Sequence, residues 1–194
     1  MCSRFELNSR PRDLNRCFDL DELPNGFTQG EIRPTNHTLC IGPRGPFVNR
    51  WGLKIDWGNK PLINARAETL KEKRTFQPLL NSRCLVPASA YFEWRREGKV
   101  RHRNRIAIPD TPLFTFAGLT DGEHVTIVTC QSVPSVAQIH SRMPVILSPS
   151  DEKAWIDGER AYDDVAYLVL PRPDLVLDAD EQPSLPPPQD DLFG

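Results

Sequence analysis

No CxxC pair, no glycine-rich phosphate loop and no apolar run of the roughly 18 residues needed to cross a bilayer occurs in this sequence. Each absence removes a class of function. The five cysteines, Cys2, Cys17, Cys40, Cys84 and Cys130, are scattered and odd in number, which argues against a disulfide framework and for a reducing, cytoplasmic home. Arg4, Glu6 and Arg10 stand where the apolar core of a secretory leader would lie. His37, His102, His124 and His140 are not spaced with cysteine or with one another as zinc ligands, so no metal is expected. Phosphate-loop and GxSxG patterns are missing too, which leaves nucleotide hydrolysis and α/β-hydrolase chemistry poorly supported. No internal repeat is visible.

What is present fits one domain of ordinary size, long enough to bury a core. The net charge of −2 hides an uneven distribution: +1 over residues 1–50, +8 over 51–105 and −11 over 106–194. A basic middle third can attract a polyanion, or it can be a solvated charged face; charge alone does not decide. The segments "TLCI", "RCLVPA", "YFEW", "LFTFAGL", "HVTIVT" and "MPVIL" are short, rich in β-branched and aromatic residues, and bounded by turn formers, so they read as strands. Helices are expected at Asp13–Leu20, through "ARAETLKEKRTFQPLLNS" with a break near Pro78, and at "SPSDEKAWID". The sum is an α+β domain, mainly β, with a sheet curled towards a barrel and a few flanking helices. From about Pro171 the chain turns proline-rich and acidic, so residues 1–172 are expected to form the domain and 173–194 a disordered tail.

Four stretches place reactive groups in strand-like surroundings: "MCSRF", "NARAET", "YFEW" and "IHSRMPVIL". Were Met1 removed, Cys2 would offer a free α-amine and a thiol on neighbouring carbons. In "YFEW" the strand period sets Tyr91 and Glu93 on one face and Phe92 and Trp94 on the other. Glu93, flanked by rings, is placed to have a raised pKa and to act as a general acid, or else to pair with a nearby arginine. His140 reads equally as a catalytic or a structural histidine, Asn64 as a strand-end residue, and Cys2 as an inert thiol near a chain end.

Taken in order, "MCSRF", "RPTN", "WGLKIDW", "NARAET", "RCLVPASAYFEW", "FAGL" and "IHSRMPVIL" resemble the SRAP family, the SOS-response-associated peptidases, from Met1 to about Leu170. The resemblance implies shielding of abasic sites in single-stranded DNA: Met1 is removed, and Cys2 forms a thiazolidine with the ring-opened aldehyde of the abasic sugar. It implies catalytic roles for Cys2, Asn64, Glu93 and His140, with Asn64 holding the α-amine through its amide oxygen. It also implies limited lyase and self-processing peptidase activity, a monomer, and no cofactor. At ordinary pKa values of about 7.7–8.0 for the amine and 8.5 for the thiol, no strong activation is expected. Phosphate contacts are expected from Arg4, Arg66, Arg74 and Arg142 and base stacking from Trp51, with Trp57 and Trp94 left in the core. Ser3, where the family usually has glycine, and "LKID", which lacks a common proline, depart from the pattern. The "QDDLF" end resembles peptides that dock on the bacterial sliding clamp through Gln189, Leu192 and Phe193. Two rival readings remain: a cysteine peptidase or amidase using Cys2 with His140, and a non-catalytic nucleic-acid binding module.

Overall fold

A computed structural model describes residues 2–56 and 58–183. In chain order these form β1 (Phe5–Leu7), α1 (Pro11–Phe18), β2 (Gly30–Ile32), β3 (His37–Gly42), β4 (Gly45–Trp51), β5 (Asn64–Arg66), β6 (Arg83–Ala88), β7 (Ala90–Glu97) and β8 (Val100–Ala107). Then follow β9 (Phe114–Thr120), β10 (His124–Gln131), α2 (Pro134–Ala137), β11 (Arg142–Pro144), β12 (Ile146–Leu147), α3 (Pro149–Ile156), α4 (Tyr162–Val165) and β13 (Asp178–Glu181). The architecture is the mainly β, α+β one expected.

The strands make two sheets. One runs β13-β8-β7-β1-β2; the other runs β11-β10-β4-β3-β6-β9-β12, with β5 beside β10. Because β9 also pairs with β10, the second sheet returns on itself in a ring. Gly118 makes that closure fit. It lies opposite Cys84 on β6 and Ile127 on β10, and a Cβ there would sit 2.9 Å from Cys84 Sγ and 3.0 Å from Val86 Cγ2. The other sheet turns through Gly98, whose φ of 58° suits the two-residue turn between Glu97 and Val100.

The core lies between the sheets and is stitched by rings. Phe5 of β1 meets Trp51 of β4 edge-on at 4.9 Å and Phe116 of β9 at 5.7 Å, while Tyr91 of β7 meets Phe116 at 6.3 Å. Such edge-to-face pairs add to the burial energy of the rings themselves. β1 is an inner strand, with β2 on one side and β7 on the other. The N-terminal segment is therefore fixed within the fold.

Two expectations need correction. The stretch 65–82 holds the end of β5 and, beyond it, only the short 3₁₀ turns Ala67–Thr69 and Gln77–Leu79. Its buried anchors Leu70 and Phe76 are six residues apart with only charged or polar residues between, so a helix would have no apolar stripe to bury. The domain also extends past 172: Leu175 and Leu177 are buried, and Asp178–Glu181 pairs antiparallel with β8. The docking segment expected at Gln189, Leu192 and Phe193, like Trp57, lies outside the described residues. No helix among the described residues is long and apolar enough to cross a membrane.

Replacing Gly118 with alanine is expected to lower stability by about 1–3 kcal/mol through overpacking against Cys84 and Val86. Urea unfolding checks this, and an unchanged midpoint would contradict the account of ring closure.

Candidate functional site

The site is built where the two sheets meet the start of the chain. The Phe92 amide donates to Arg4 O at 2.9 Å, carrying the β1–β7 pairing beyond Phe5 towards Cys2. Cys2 is fully buried, and its thiol donates to Arg4 O at 3.3 Å. Trp51 places the facing residue: its indole N–H donates to Ile63 O at 2.9 Å, and the Ile127 amide donates to the same oxygen at 3.1 Å. Asn64, next in line, then pairs with Ile127 in the parallel β5–β10 ladder. Its Nδ2 donates to Cys2 O at 2.7 Å, and its Oδ1 is buried with no hydrogen-bond partner among the described residues.

Glu93 projects from β7, 3% exposed, opposite Asn104 of β8. Burial raises its carboxyl pKa, with the nearby His140 among the groups that oppose the rise. Its burial and the upward direction of that shift are those the sequence reading expected. His140 is set by the loop between β10 and β11. The Ser132 hydroxyl donates to His140 O at 2.7 Å, and the Arg142 amide donates to His140 Nδ1 at 3.0 Å. Arg142 O lies 3.2 Å from the same nitrogen, so the Arg142 backbone holds Nδ1 in either tautomer. Cys2 and Glu93 thus come from the β13–β2 sheet side, and Asn64 and His140 from the ring-like sheet.

The thiol is less available than its ordinary pKa suggested. Burial, and then the Glu93 carboxylate, push Cys2 far above the usual thiol range. A group in these surroundings stays protonated at neutral pH.

The basic residues fall out differently from one another. Arg66 is exposed at the end of β5 and Arg74 is exposed beyond it, neither in an ion pair among the described residues. Arg4 is half-buried and donates to Glu31 at 3.1 Å; Arg33 at 3.0 Å and Arg103 share that carboxylate. Arg142 is committed elsewhere, forked onto Glu68 at 2.8 and 2.9 Å and donating to Thr129 O at 2.7 Å. Trp51 corrects the stacking expectation: it is fully buried and cannot offer a face to a base. Trp94 corrects the core expectation, being half-buried in a groove of about 610 Å³ with Arg4, Arg33, Arg101 and Arg103. Much of the basic middle third is also spent inside the fold. Arg83 is buried on the carbonyls of Leu80, Trp155, Asp157 and Arg160, and Arg105 is paired with Glu6. Among the described residues no cluster of His, Cys, Asp and Glu could hold a metal.

Sequence reasoning passed over two residues: Glu31, which gathers three arginines, and Tyr91, whose buried hydroxyl has no hydrogen-bond partner among the described residues. The strand period had already put Tyr91 on the Glu93 face, and that was the available signal.

Fold and site define a two-sheet α+β protein whose second residue is a buried cysteine, with an amide hydrogen-bonded to its carbonyl and a carboxyl, itself near an imidazole, within electrostatic reach. Comparison with known proteins agrees with this description. Residues 1–180 match the SOS response associated peptidase (SRAP) family, and the chain belongs to that family. It is 35% identical to the abasic site processing protein YoaM of Bacillus subtilis, over 93% of this chain and 88% of that one. It is 30% identical to the abasic site processing protein YedK of Escherichia coli, over 82% and 81%. A crystal structure of a protein from Bacteroides thetaiotaomicron superposes with a TM-score of 0.79 at 23% identity, covering 94% of this chain and 93% of the other.

The buried acids predict a pH dependence of stability. Burial raises the thiols of Cys2, Cys40 and Cys130, the last to about 11. Above about pH 8.5 the unfolded chain releases thiol protons that the folded chain keeps, so the folded state binds more protons and stability falls as pH rises. Urea midpoints under reducing conditions are expected to drop between about pH 7.5 and pH 9.5. A midpoint that rises over this range contradicts the assignment.

Proposed function

We propose that this chain recognises abasic sites in single-stranded DNA and captures them covalently through Cys2, after loss of Met1, as a thiazolidine that shields the lesion. The observation that carries this reading is the convergence of Cys2, Asn64, Glu93 and His140, drawn from four separate segments, on one buried point at the start of the chain. The names of the relatives support the substrate class.

The chemistry follows from the groups present. Removing Met1 turns the Cys2 amide nitrogen into a primary amine, and Asn64 Oδ1, which has no hydrogen-bond partner among the described residues, is the acceptor available to hold it. The ring-opened sugar presents an aldehyde at C1′. The amine adds to that carbon, and the resulting carbinolamine loses water to give an imine. Glu93, whose pKa burial raises, supplies the proton to the departing hydroxyl. His140 assists opening of the sugar ring. Sulfur then bonds to the imine carbon, the C=N electron pair moves to nitrogen, and the thiol proton ends there. One water is released in all. Elimination from the imine would give limited lyase activity, and the same groups would serve removal of Met1.

A peptidase mechanism is less well supported. A nucleophilic cysteine needs surroundings that favour its thiolate, whereas burial acts against the Cys2 thiolate. In the capture mechanism the amine attacks first, so the protonated thiol is no obstacle. Exposed Arg66 and Arg74 are proposed to hold phosphates, as is Arg4 once phosphate displaces Glu31.

Incubation with a single-stranded oligonucleotide carrying one abasic site is expected to yield a heat-stable adduct, on protein lacking Met1, that disappears in Cys2→Ala; intact mass spectrometry identifies it. Processed wild-type protein that gives no adduct overturns the proposal. Glu93→Gln is expected to slow adduct formation by about 10²-fold, the usual scale for a lost general acid. Equal rates would remove Glu93 from proton transfer.

A further inference from the structure

Tyr91 is fully buried, and its hydroxyl has no hydrogen-bond partner among the described residues. A buried phenol normally finds a partner, because leaving one unpaired costs about 1–3 kcal/mol. Packing against Phe116 explains the ring but not the oxygen, since phenylalanine would keep that contact. The register puts Tyr91 opposite Phe5, three residues from Cys2, and the strand period puts it on the Glu93 side of β7. Burial raises the phenol well above its ordinary pKa, and after burial the contributors are Cys2, Glu93 and Cys130 in that order. The hydroxyl therefore lies within electrostatic reach of the two reacting residues. Around them stand His140, which acts on Glu93, and Arg142 and Glu68, which act on Cys130.

The geometry points to Tyr91 as a further catalytic residue, whose hydroxyl donates a hydrogen bond to Cys2 sulfur as the thiazolidine ring closes. This rests on the role of Cys2 proposed above. Before reaction the sulfur is turned to Arg4 O as a donor; closure needs it turned to the imine carbon, with charge building on it as its proton leaves. In that dry setting a hydroxyl donor offsets the burial that otherwise opposes the thiolate. Tyr91 keeps its own proton throughout. The C–S bond forms, the C=N pair goes to nitrogen, and the sulfur proton passes to nitrogen by way of Glu93.

Tyr91→Phe removes one oxygen and keeps the ring. Two steps are read separately on the abasic oligonucleotide: imine formation by cyanoborohydride trapping, which needs only the amine, and ring closure by the unreduced heat-stable adduct. Cys2→Ala, which retains an amine, sets the background for closure. In Tyr91→Phe the imine is expected to form within about twofold of the wild-type rate. Closure is expected to slow about tenfold, with its rising pH limb displaced to higher pH. A wild-type closure rate and pH profile in Tyr91→Phe overturn the inference and leave the capture chemistry standing. Equal losses in both steps, with a lowered thermal midpoint, overturn it in favour of a packing role. If processed wild-type protein gives neither imine nor adduct, the capture chemistry itself falls and this inference with it.

Discussion

The site depends on Phe5 being wedged between Trp51 and Phe116, which pins the first residues of the chain between the two sheets. A chain end ordinarily frays, because ordering each residue costs about 1–2 kcal/mol of backbone entropy with few contacts to offset it. Here β1 is hydrogen-bonded on both edges and Phe5 and Leu7 are fully buried, at roughly 1.5–3 kcal/mol for each such side chain. Terminal order is thus maintained by the core. The same packing fixes the ceiling on thiol reactivity. Holding Cys2 still means burying it, and burying it disfavours the thiolate. A mechanism that opens with a thiolate works against this fold, and one that opens with the amine does not.

Trp51 shows how far a single core residue reaches. Its ring supports Phe5, and its indole N–H holds Ile63 O, the step before Asn64. Cys2 and the amide that contacts it are therefore aligned by one side chain that touches neither the sulfur nor the nitrogen. A tryptophan in a sequence motif invites the idea of base stacking, yet a stacked base needs an exposed face. Trp94, at the end of the motif that supplies Glu93, has the open side instead.

The strands were legible because each carries a local signal, and so were the four candidate residues that the proposed chemistry uses. β-branched and aromatic clusters between turn formers marked the strands, and an ordered set of short motifs marked Cys2, Asn64, Glu93 and His140. What escaped depends on distant partners. The charges of residues 65–82 favour a helix locally, but no apolar stripe lets one dock. β13 has the unpromising sequence Asp-Ala-Asp-Glu and forms because β8 presents a free edge, with Glu181 taking Arg95 and His102. Tyr91 was placed on the correct face, while its depth depends on Phe116, 25 positions further along the chain.

Charge was the least legible property, and the reason bears on how nucleic acid would bind. A sum over residues 51–105 counts Arg83, Arg95, Arg103 and Arg105 as if all faced a ligand, yet carbonyls or carboxylates already hold each of them. Glu31 gathers Arg4, Arg33 and Arg103, and its carboxylate is stabilised below its usual pKa chiefly by the Arg103 hydrogen bond, against the opposing effect of burial. A phosphate arriving at Arg4 must displace that carboxylate, so the gain is the difference between two anions, whereas Arg66 and Arg74 are exposed and in no ion pair among the described residues. Counterion release, and with it the salt dependence of binding, should therefore arise mainly at Arg66 and Arg74. Glu31 would instead act on selectivity: a backbone that does not bring its phosphate close enough to compete leaves Arg4 paired with Glu31 on β2.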